Sequence, residues 1–511
     1  MSMHKQVALI FFVFIHFCHF GQEVIVRGEA KGYEGKRLAV VGAQDELSGK
    51  RILLAQADVN DSGLFEVRFE TKTTRRIYLH LQRAEAPLYV QQGRSYTVVF
   101  PPVANADYKR FDNTEISLQL VDFPVDDINI HIRKFNDDYA RFISEHFYDF
   151  ATDEYQGSSA YLNYLGTRKE KVDLYSKSIK LDTLDSKPEG EFSGYVKQFE
   201  DSVNSSVEQV SDVHFLAAYK RFSIGELHLL SGMNRKQFYE RYFMSITPLE
   251  HNPAFVNCFK LFTQNMLTRQ PAPVQAAMVK AVNVDRDFER LAAAFGADSE
   301  LLSMRLKYLA ALLGLKEAYN NAMYDRVSID ILLGKVQTDD TLVDQVAAAV
   351  LHQVTRCRAG WKMQEVTFTD EAQSKWMLSD ADGLPLYILF FTTWSPASLK
   401  EILVLERLQE KFVGRVQFVA VCMDDDYRTY RKYIEEHMKL PIKLLYGNAE
   451  PFVHEKFNVK AIPHQVLIDA EQYVVSDTCP APSDPIFESF LNRIAAANAP
   501  GKQGQKTWRD H

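Results

Sequence analysis

The sequence predicts a multidomain α+β protein with three successive parts. Its 511 residues are too many for one hydrophobic core, since domains usually hold roughly 100–200 residues. Short alternating segments come first, long helical periods follow, and strands and helices alternate regularly near the C-terminus. We therefore expect an antiparallel β-sandwich over 22–114, an α-helical domain over 115–360 and an α/β domain over 361–497.

Turn signals separate short runs of alternating apolar and polar residues in the N-terminal part. The runs are Val24–Val26, Arg37–Val41, Leu64–Phe69, Ile77–Leu81 and Tyr96–Phe100. Asn60–Gly63 is a turn signal directly before the third run. Strands that recur at such short intervals are typical of a β-sandwich.

The middle of the chain, from about Asp126 to Ala359, shows the spacing of amphipathic helices. Phe215, Tyr219 and Phe222 stand at i, i+4 and i+7, which places them on one helix face. The histidines here lack the spacing of a metal-binding motif. They are His131, His146, His214, His228, His251 and His352. We interpret the apolar stripes as core and predict neither a metal site nor a cofactor.

The first 21 residues predict a secretory signal peptide. His4 and Lys5 precede an apolar run from Val7 to Phe20, which is shorter than the roughly 20 residues that span a bilayer. No later stretch reaches 18 uninterrupted apolar residues. We expect export, with no membrane contact beyond an uncleaved signal anchor. The polar segment 498–511 is predicted to be a disordered tail.

Charge and cysteine spacing exclude several classes of function. Asp and Glu number 67 against 59 Lys and Arg, so no chain-wide positive field favours nucleic acid. Beyond the predicted signal, the cysteines form no CxxC pair and no zinc-binding pattern. They are Cys258, Cys357, Cys422 and Cys479. The simplest interpretation is four buried, unpaired thiols.

The C-terminal part predicts the element order βαβα–ββα. Predicted strands are 385–391, 416–422, 442–445, 464–469 and 473–476, and predicted helices are 398–412, 427–438, 451–457 and 484–497. The first βαβ unit predicts two parallel strands with a right-handed crossover. This order is that of the thioredoxin fold.

Two short motifs strengthen that interpretation. The segment Phe391–Ser398 resembles the F-x-x-W-C-P-x-C active-site turn of exported TlpA/ResA-type thioredoxin-like proteins, and Ala461–His464 resembles the segment that carries the family's cis-proline. The motif positions Ser395 and Pro463 are 68 residues apart. The resemblance covers about 110 residues. The β-rich N-terminus and helical middle are also similar, more loosely, to exported bacterial proteins, which implies a periplasmic or otherwise exported location.

The sequence departs from the family at three positions that matter for redox chemistry. Ser395 and Ser398 occupy both cysteine positions of the motif, and disulfide exchange requires a thiolate. The resemblance also implies a buried carboxylate in the preceding strand, where Leu389 stands. We therefore predict no catalytic residue in this turn. Ser395 followed by Pro396 favours a helix N-cap, although Ser398 and Glu401 have capping-box spacing as an alternative.

A binding surface is the function that the resemblance still implies. In the family, the main chain beside the cis-proline pairs with an extended partner segment, and the turn supplies an apolar shelf. The corresponding residues are Trp394, Pro396, Ile462, Pro463 and His464. We predict that they bind or scaffold a protein or peptide in the exported compartment.

Three alternatives remain open at this stage. Cys422 could support residual thiol-disulfide chemistry, although the family's strand order puts it roughly 14 Å from Cys479, beyond bonding reach. Ser395 could act as a nucleophile with His464 as its base, but no orienting carboxylate or oxyanion hole is evident. The domain could also be a purely structural remnant packed against the helical domain.

Overall fold

The computed structural model describes residues 22–82, 84–102, 114–151, 191–205, 209–244, 246, 249–295, 303–381, 383–424, 427–437, 442–448 and 452–497. The predicted signal peptide and the predicted disordered tail lie outside these residues. Within the described part, no helix is long and apolar enough to cross a membrane.

The N-terminal part forms two sheets around one core. Its strands are β1 (Gln22–Glu29), β2 (Arg37–Ala43), β3 (Arg51–Asp58), β4 (Leu64–Thr71), β5 (Arg75–Leu81), β6 (Ala84–Val90), β7 (Ser95–Val99), β8 (Thr114–Glu115) and β9 (Gln119–Val121). One sheet has the order β4-β1-β7-β9 and the other β3-β2-β5-β6-β8. Alternate residues of β4, Phe65, Val67 and Phe69, are buried in a core shared with the second sheet.

This β-rich part was predicted, but two details of the prediction were wrong. The sheets are mixed and not purely antiparallel, because β1 pairs with β7, and β6 with β8, in parallel. Strands β8 and β9 also join the sheets, so pairing continues to Val121, past the expected boundary at 114. These strands have only two and three residues, too few to show hydrophobic alternation, which is why the sequence did not reveal them.

The middle of the described chain is helical, as predicted. Its helices are α1 (Ile128–Ala151), α2 (Glu191–Ser205), α3 (Val213–Leu230), α4 (Arg235–Tyr242), α5 (Pro253–Thr263), α6 (Ala272–Lys280), α7 (Phe288–Ala294), α8 (Met304–Ala318), α9 (Arg326–Gly334) and α10 (Thr341–Thr355). Phe222 is fully buried in the aromatic-rich core. Among the described residues, no cluster of three side chains suited to a metal ion occurs.

A loop of the β-rich part inserts into the helical core. Leu47, between β2 and β3, is fully buried among residues of the helical domain. Around it, Lys260 Nζ donates to the Glu46 carbonyl at 2.9 Å, and Lys316 Nζ donates to the Ser48 carbonyl at 2.9 Å. The two parts therefore share packing and hydrogen bonds, and are not separated by a free linker.

The C-terminal part has the predicted strand and helix order around a seven-stranded sheet. Its elements are β10 (Thr367–Thr369), β11 (Lys375–Met377), β12 (Leu386–Phe391), α11 (Pro396–Phe412), β13 (Gln417–Cys422), α12 (Tyr427–His437), β14 (Lys443–Tyr446), α13 (Val453–Lys456), β15 (His464–Ile468), β16 (Val474–Ser476) and α14 (Phe487–Ala497). The strand order is β11-β10-β14-β13-β12-β15-β16. This confirms a thioredoxin-like fold, with the hairpin β10–β11 as an unpredicted addition.

Every residue of β12 is buried, because the strand lies in the middle of the sheet with apolar clusters on both faces. It pairs in parallel with β13 and antiparallel with β15. This pairing determines which loops meet at one edge of the sheet.

Candidate functional site

The two motif segments and the end of β13 meet at one edge of the sheet. Strand β12 ends at Phe391, which pairs with Cys422 at the end of parallel β13. Antiparallel β15 begins at His464, opposite Phe390. The turn after β12, the end of β13 and the segment before β15 therefore lie at the same edge.

Ser395 caps helix α11, as the sequence predicted. Its backbone is extended, with φ of −96°, and its Oγ accepts a hydrogen bond from the Ser398 amide at 3.3 Å. Pro396 follows at the first helical position, where its missing N–H has no cost. The helix thus begins at Pro396, which removes the alternative start at Ser398.

Replacing Ser395 by Ala should therefore destabilise the domain by about 1 kcal/mol, the usual value of an N-cap hydroxyl. Ser395→Asp should retain most of the stability, because a carboxylate also accepts at an N-cap. Urea denaturation followed by circular dichroism measures both variants. Equal losses for Ala and Asp would show that the hydroxyl stabilises the turn in some other way.

Ser398 occupies a closed environment one turn into α11. The residue is fully buried, and its Oγ has no hydrogen-bond partner within the described part of the chain. Glu401, one turn further, does not form the capping box. Its carboxylate is buried and accepts from the Ser483 amide at 2.8 Å and from the Ser483 hydroxyl at 2.6 Å. A buried carboxylate therefore lies below the turn, on the helix and not in β12.

Asp424 anchors the other side of the turn, and sequence reasoning missed it. The buried carboxylate accepts from the Thr393 amide at 3.2 Å and from the Thr393 hydroxyl at 2.5 Å. Asn448 in turn donates to the main-chain carbonyl of Asp424 at 2.9 Å. The available signal was an aspartate just beyond the end of β13, at the edge where the turn lies. These bonds fix the main chain directly before Trp394.

The predicted cis-proline is present. The Ile462–Pro463 peptide bond is cis, Ala461 is exposed, and Ile462 and Pro463 are half-buried. Within the described residues, the main chain of Ala461 and Ile462 forms no backbone hydrogen bond. Trp394 is 43% exposed, which is high for so large an apolar side chain. The edge therefore combines an open stretch of main chain with an exposed indole.

The serine-nucleophile hypothesis finds no support in the geometry. Ser395 Oγ is engaged as the cap, and no hydrogen bond joins it to His464. Burial lowers the pKa of His464, and its Nε2 has no partner among the described residues. The base and nucleophile of such a mechanism are expected within hydrogen-bond reach.

The four cysteines within the described residues are all buried, and none of them forms a disulfide there. Burial raises the pKa of the Cys479 thiol to about 12 and also raises the pKa values of Cys258 and Cys357. Cys422, at the end of β13, is fully buried. Thiolates are the reactive species, so buried thiols with raised pKa values are poorly suited to disulfide exchange.

Comparison with known protein families identifies the class of domain in the C-terminal part of the chain. Residues 358–489 match the family model described as Redoxin. The matched segment contains the turn, the cis-proline and all strands of the seven-stranded sheet. The C-terminal part is therefore a Redoxin domain with a thioredoxin-like fold. Among curated proteins, none matches the chain.

Solved structures similar to this segment include bacterial thiol-disulfide proteins. A candidate thiol-disulfide oxidoreductase from Bacteroides vulgatus is 23% identical, with 27% of this chain and 99% of that chain covered and a TM-score of 0.26. The thioredoxin domain of a thiol-disulfide oxidoreductase from the same organism is 19% identical over 27% of this chain and 97% of that chain, with a TM-score of 0.24. A thiol:disulfide interchange protein from Bacteroides sp. is 19% identical, with 30% of this chain and 97% of that chain covered and a TM-score of 0.24.

Proposed function

We propose that this chain is an exported, thioredoxin-like binding protein that lacks the redox dithiol. In this proposal, its Redoxin domain holds an extended segment of an extracytoplasmic protein or peptide and carries out no disulfide exchange. The exported location rests on the predicted signal peptide over residues 1–21.

The chemistry of the turn supports the absence of disulfide exchange. Ser395 and Ser398 carry hydroxyls where exchange needs sulfur, and a hydroxyl can neither attack a disulfide nor form one. Leu389 is fully buried in β12, a strand without an acidic residue. The thiols elsewhere in the described domain are buried, which argues against a substitute nucleophile.

The observation that carries the binding proposal is that one sheet edge presents both the exposed Trp394 side chain and the main chain of Ala461 and Ile462, which forms no backbone hydrogen bond within the described residues. Free N–H and C=O groups beside a strand can accept another strand, which is β-augmentation. An exposed aromatic side chain at the same edge supplies apolar area for the partner's side chains. Asp424 holds the turn in place, so the surface is ordered before binding.

A library of unstructured peptides displayed on phage provides the probe. Peptides selected on the native protein should bind Trp394→Ala roughly 30-fold more weakly, the effect expected for a central aromatic contact. Val413→Ala is the matched control, because Val413 is 72% exposed but lies at the far end of α11. Equal affinity of both variants for every selected peptide would overturn the proposal.

A further inference from the structure

The segment that leads to the cis-proline is held from outside the Redoxin domain. Glu455, in α13, accepts from Arg51 Nη1 at 3.2 Å and from Arg356 Nη1 at 3.3 Å. Arg51 belongs to β3 of the N-terminal sheets, and Arg356 directly follows helix α10. One carboxylate thus joins all three parts of the chain.

Arg51 is the centre of this junction. Its guanidinium lies over the Phe452 ring, 5.0 Å from the centroid, and its Nη2 donates to Glu85 at 3.2 Å. The same Nη2 contacts His80 Nε2. The Arg51 and Glu455 side chains are only 22% and 25% exposed, so water screens their attraction less than at an open surface.

Short contacts connect helix α13, which contains Glu455, to the segment before Pro463 and to strand β12. The Val459 amide donates to the His454 carbonyl at 2.7 Å, which closes the turn four residues before Pro463. Phe457 is fully buried, with its ring centroid 4.9 Å from that of Phe390 in β12. A displacement of Glu455 would therefore move the chain that presents the open main chain of Ala461 and Ile462.

Three histidines lie at this junction among cations. His80 faces Arg51 and Glu85, and its Nε2 can accept from Arg51 only while that nitrogen carries no proton. His454 faces Arg51, Arg356, His80 and its neighbour Glu455, and burial is the largest cause of its lowered pKa.

His352, on α10, completes the set. It faces Lys50, Arg356 and Lys456, has Gln364 as a hydrogen-bond partner, and has a pKa lowered mainly by burial. Its Nδ1 has no partner within the residues that the structure describes. Protonation of His352 or His454 adds positive charge near Arg356, and protonation of His454 also adds it near Arg51. These two arginines hold Glu455.

We propose that Glu455 is a positioning residue for the peptide-binding edge and that protonation of His352 and His454 releases it in mildly acidic conditions. This regulation rests on the proposed function, because the edge matters only if a partner binds there.

The sign follows from proton linkage. We call the state in which Arg51 and Arg356 hold Glu455 closed, and the state in which Glu455 is released open. A histidine whose pKa is lowered in the closed state binds more protons in the open state. The closed state is therefore fully favoured above about pH 6.5, the ordinary histidine pKa, and loses stability as the pH falls below it. Each such histidine changes the opening equilibrium by up to about tenfold per pH unit.

Hydrogen exchange measured by mass spectrometry on the full-length protein tests this inference without any ligand. After correction for intrinsic rates, the amides of residues 457–459, which donate hydrogen bonds to Val453, Glu455 and His454, should exchange about tenfold faster at pH 5.5 than at pH 7.5, while β12 stays protected. Glu455→Gln should produce the fast pattern already at pH 7.5. Glu488→Gln is the matched control, since its ion pair with Lys411 is exposed and lies away from the junction.

A variant with His352→Gln and His454→Gln should remove the pH dependence, and His454→Gln alone should reduce it if the double variant folds poorly. Equal exchange of the 457–459 amides at both pH values, or no effect of Glu455→Gln on them, would overturn the inference. Peptide affinity is measured separately at pH 7.5. If the protein binds no peptide but its exchange still increases in acid, the proposed function is wrong while the inference about Glu455 stands.

Discussion

A variant carrying Ser395→Cys together with Ser398→Cys should reduce insulin disulfides in the presence of dithiothreitol, whereas the native protein should show no such activity. Residue 395 caps α11, where the positive end of the helix dipole favours a thiolate. Residue 398 lies three positions on, and helix geometry places the Cα atoms of positions i and i+3 about 5 Å apart, within the range that a disulfide bridges. The substitutions would supply the missing sulfur to a turn that is otherwise in place.

The single variants Ser395→Cys and Ser398→Cys are the controls, because one thiol cannot cycle through an internal disulfide. Both should be far less active than the double variant. Activity in the native protein would contradict the account and direct attention to Cys422. An inactive double variant would instead indicate that the turn does not have the geometry described above.

Asp330→Ala should produce a large loss of stability, about 3–5 kcal/mol, because it breaks a buried ion pair. Asp330 is 8% exposed on α9 and accepts from Arg358 Nη1 at 2.6 Å and from the Tyr319 hydroxyl at 3.0 Å. Arg358 is the first residue of the Redoxin match, so this contact joins the helical part to the Redoxin domain. Its removal leaves the Arg358 guanidinium without its carboxylate partner and the Tyr319 hydroxyl without its acceptor.

Urea denaturation measures this effect, with Asp339→Ala at an exposed neighbouring position as the control. The control should change stability by less than about 0.5 kcal/mol. Combining Asp330→Leu with Arg358→Met should recover much of the loss, since apolar replacement of both partners leaves no unpaired charge. A loss in Asp330→Ala no larger than in the control would contradict this interpretation of the ion pair.

The Redoxin domain was predictable because its signals are local. Strand β12 is a continuous apolar run, and Ser395 with Pro396 is a recognisable helix start, so the observed bounds lie within about three residues of the expected ones. The cis-proline followed from the resemblance of Ala461–His464 to a known segment. The choice of binding residues remains a prediction.

Contacts between distant segments were not predictable. Leu47 looks like an ordinary loop residue, and only the assembled fold shows that it enters the helical core. Glu455 lies 404 residues from Arg51 in the chain, and Asp424 lies 31 residues from Thr393. Pattern and propensity describe neighbours along the chain, whereas these pairs depend on how the three parts pack.

Backbone hydrogen exchange of the native protein with and without a selected peptide tests the binding proposal most directly. If an extended partner adds to the sheet edge, the amides of Ala461 and Ile462 should become protected, because they form no backbone hydrogen bonds in the described structure. Trp394→Ala should lose this protection at the same peptide concentration. Protection that appears elsewhere while Ala461 and Ile462 stay open would contradict the proposed edge as the binding site.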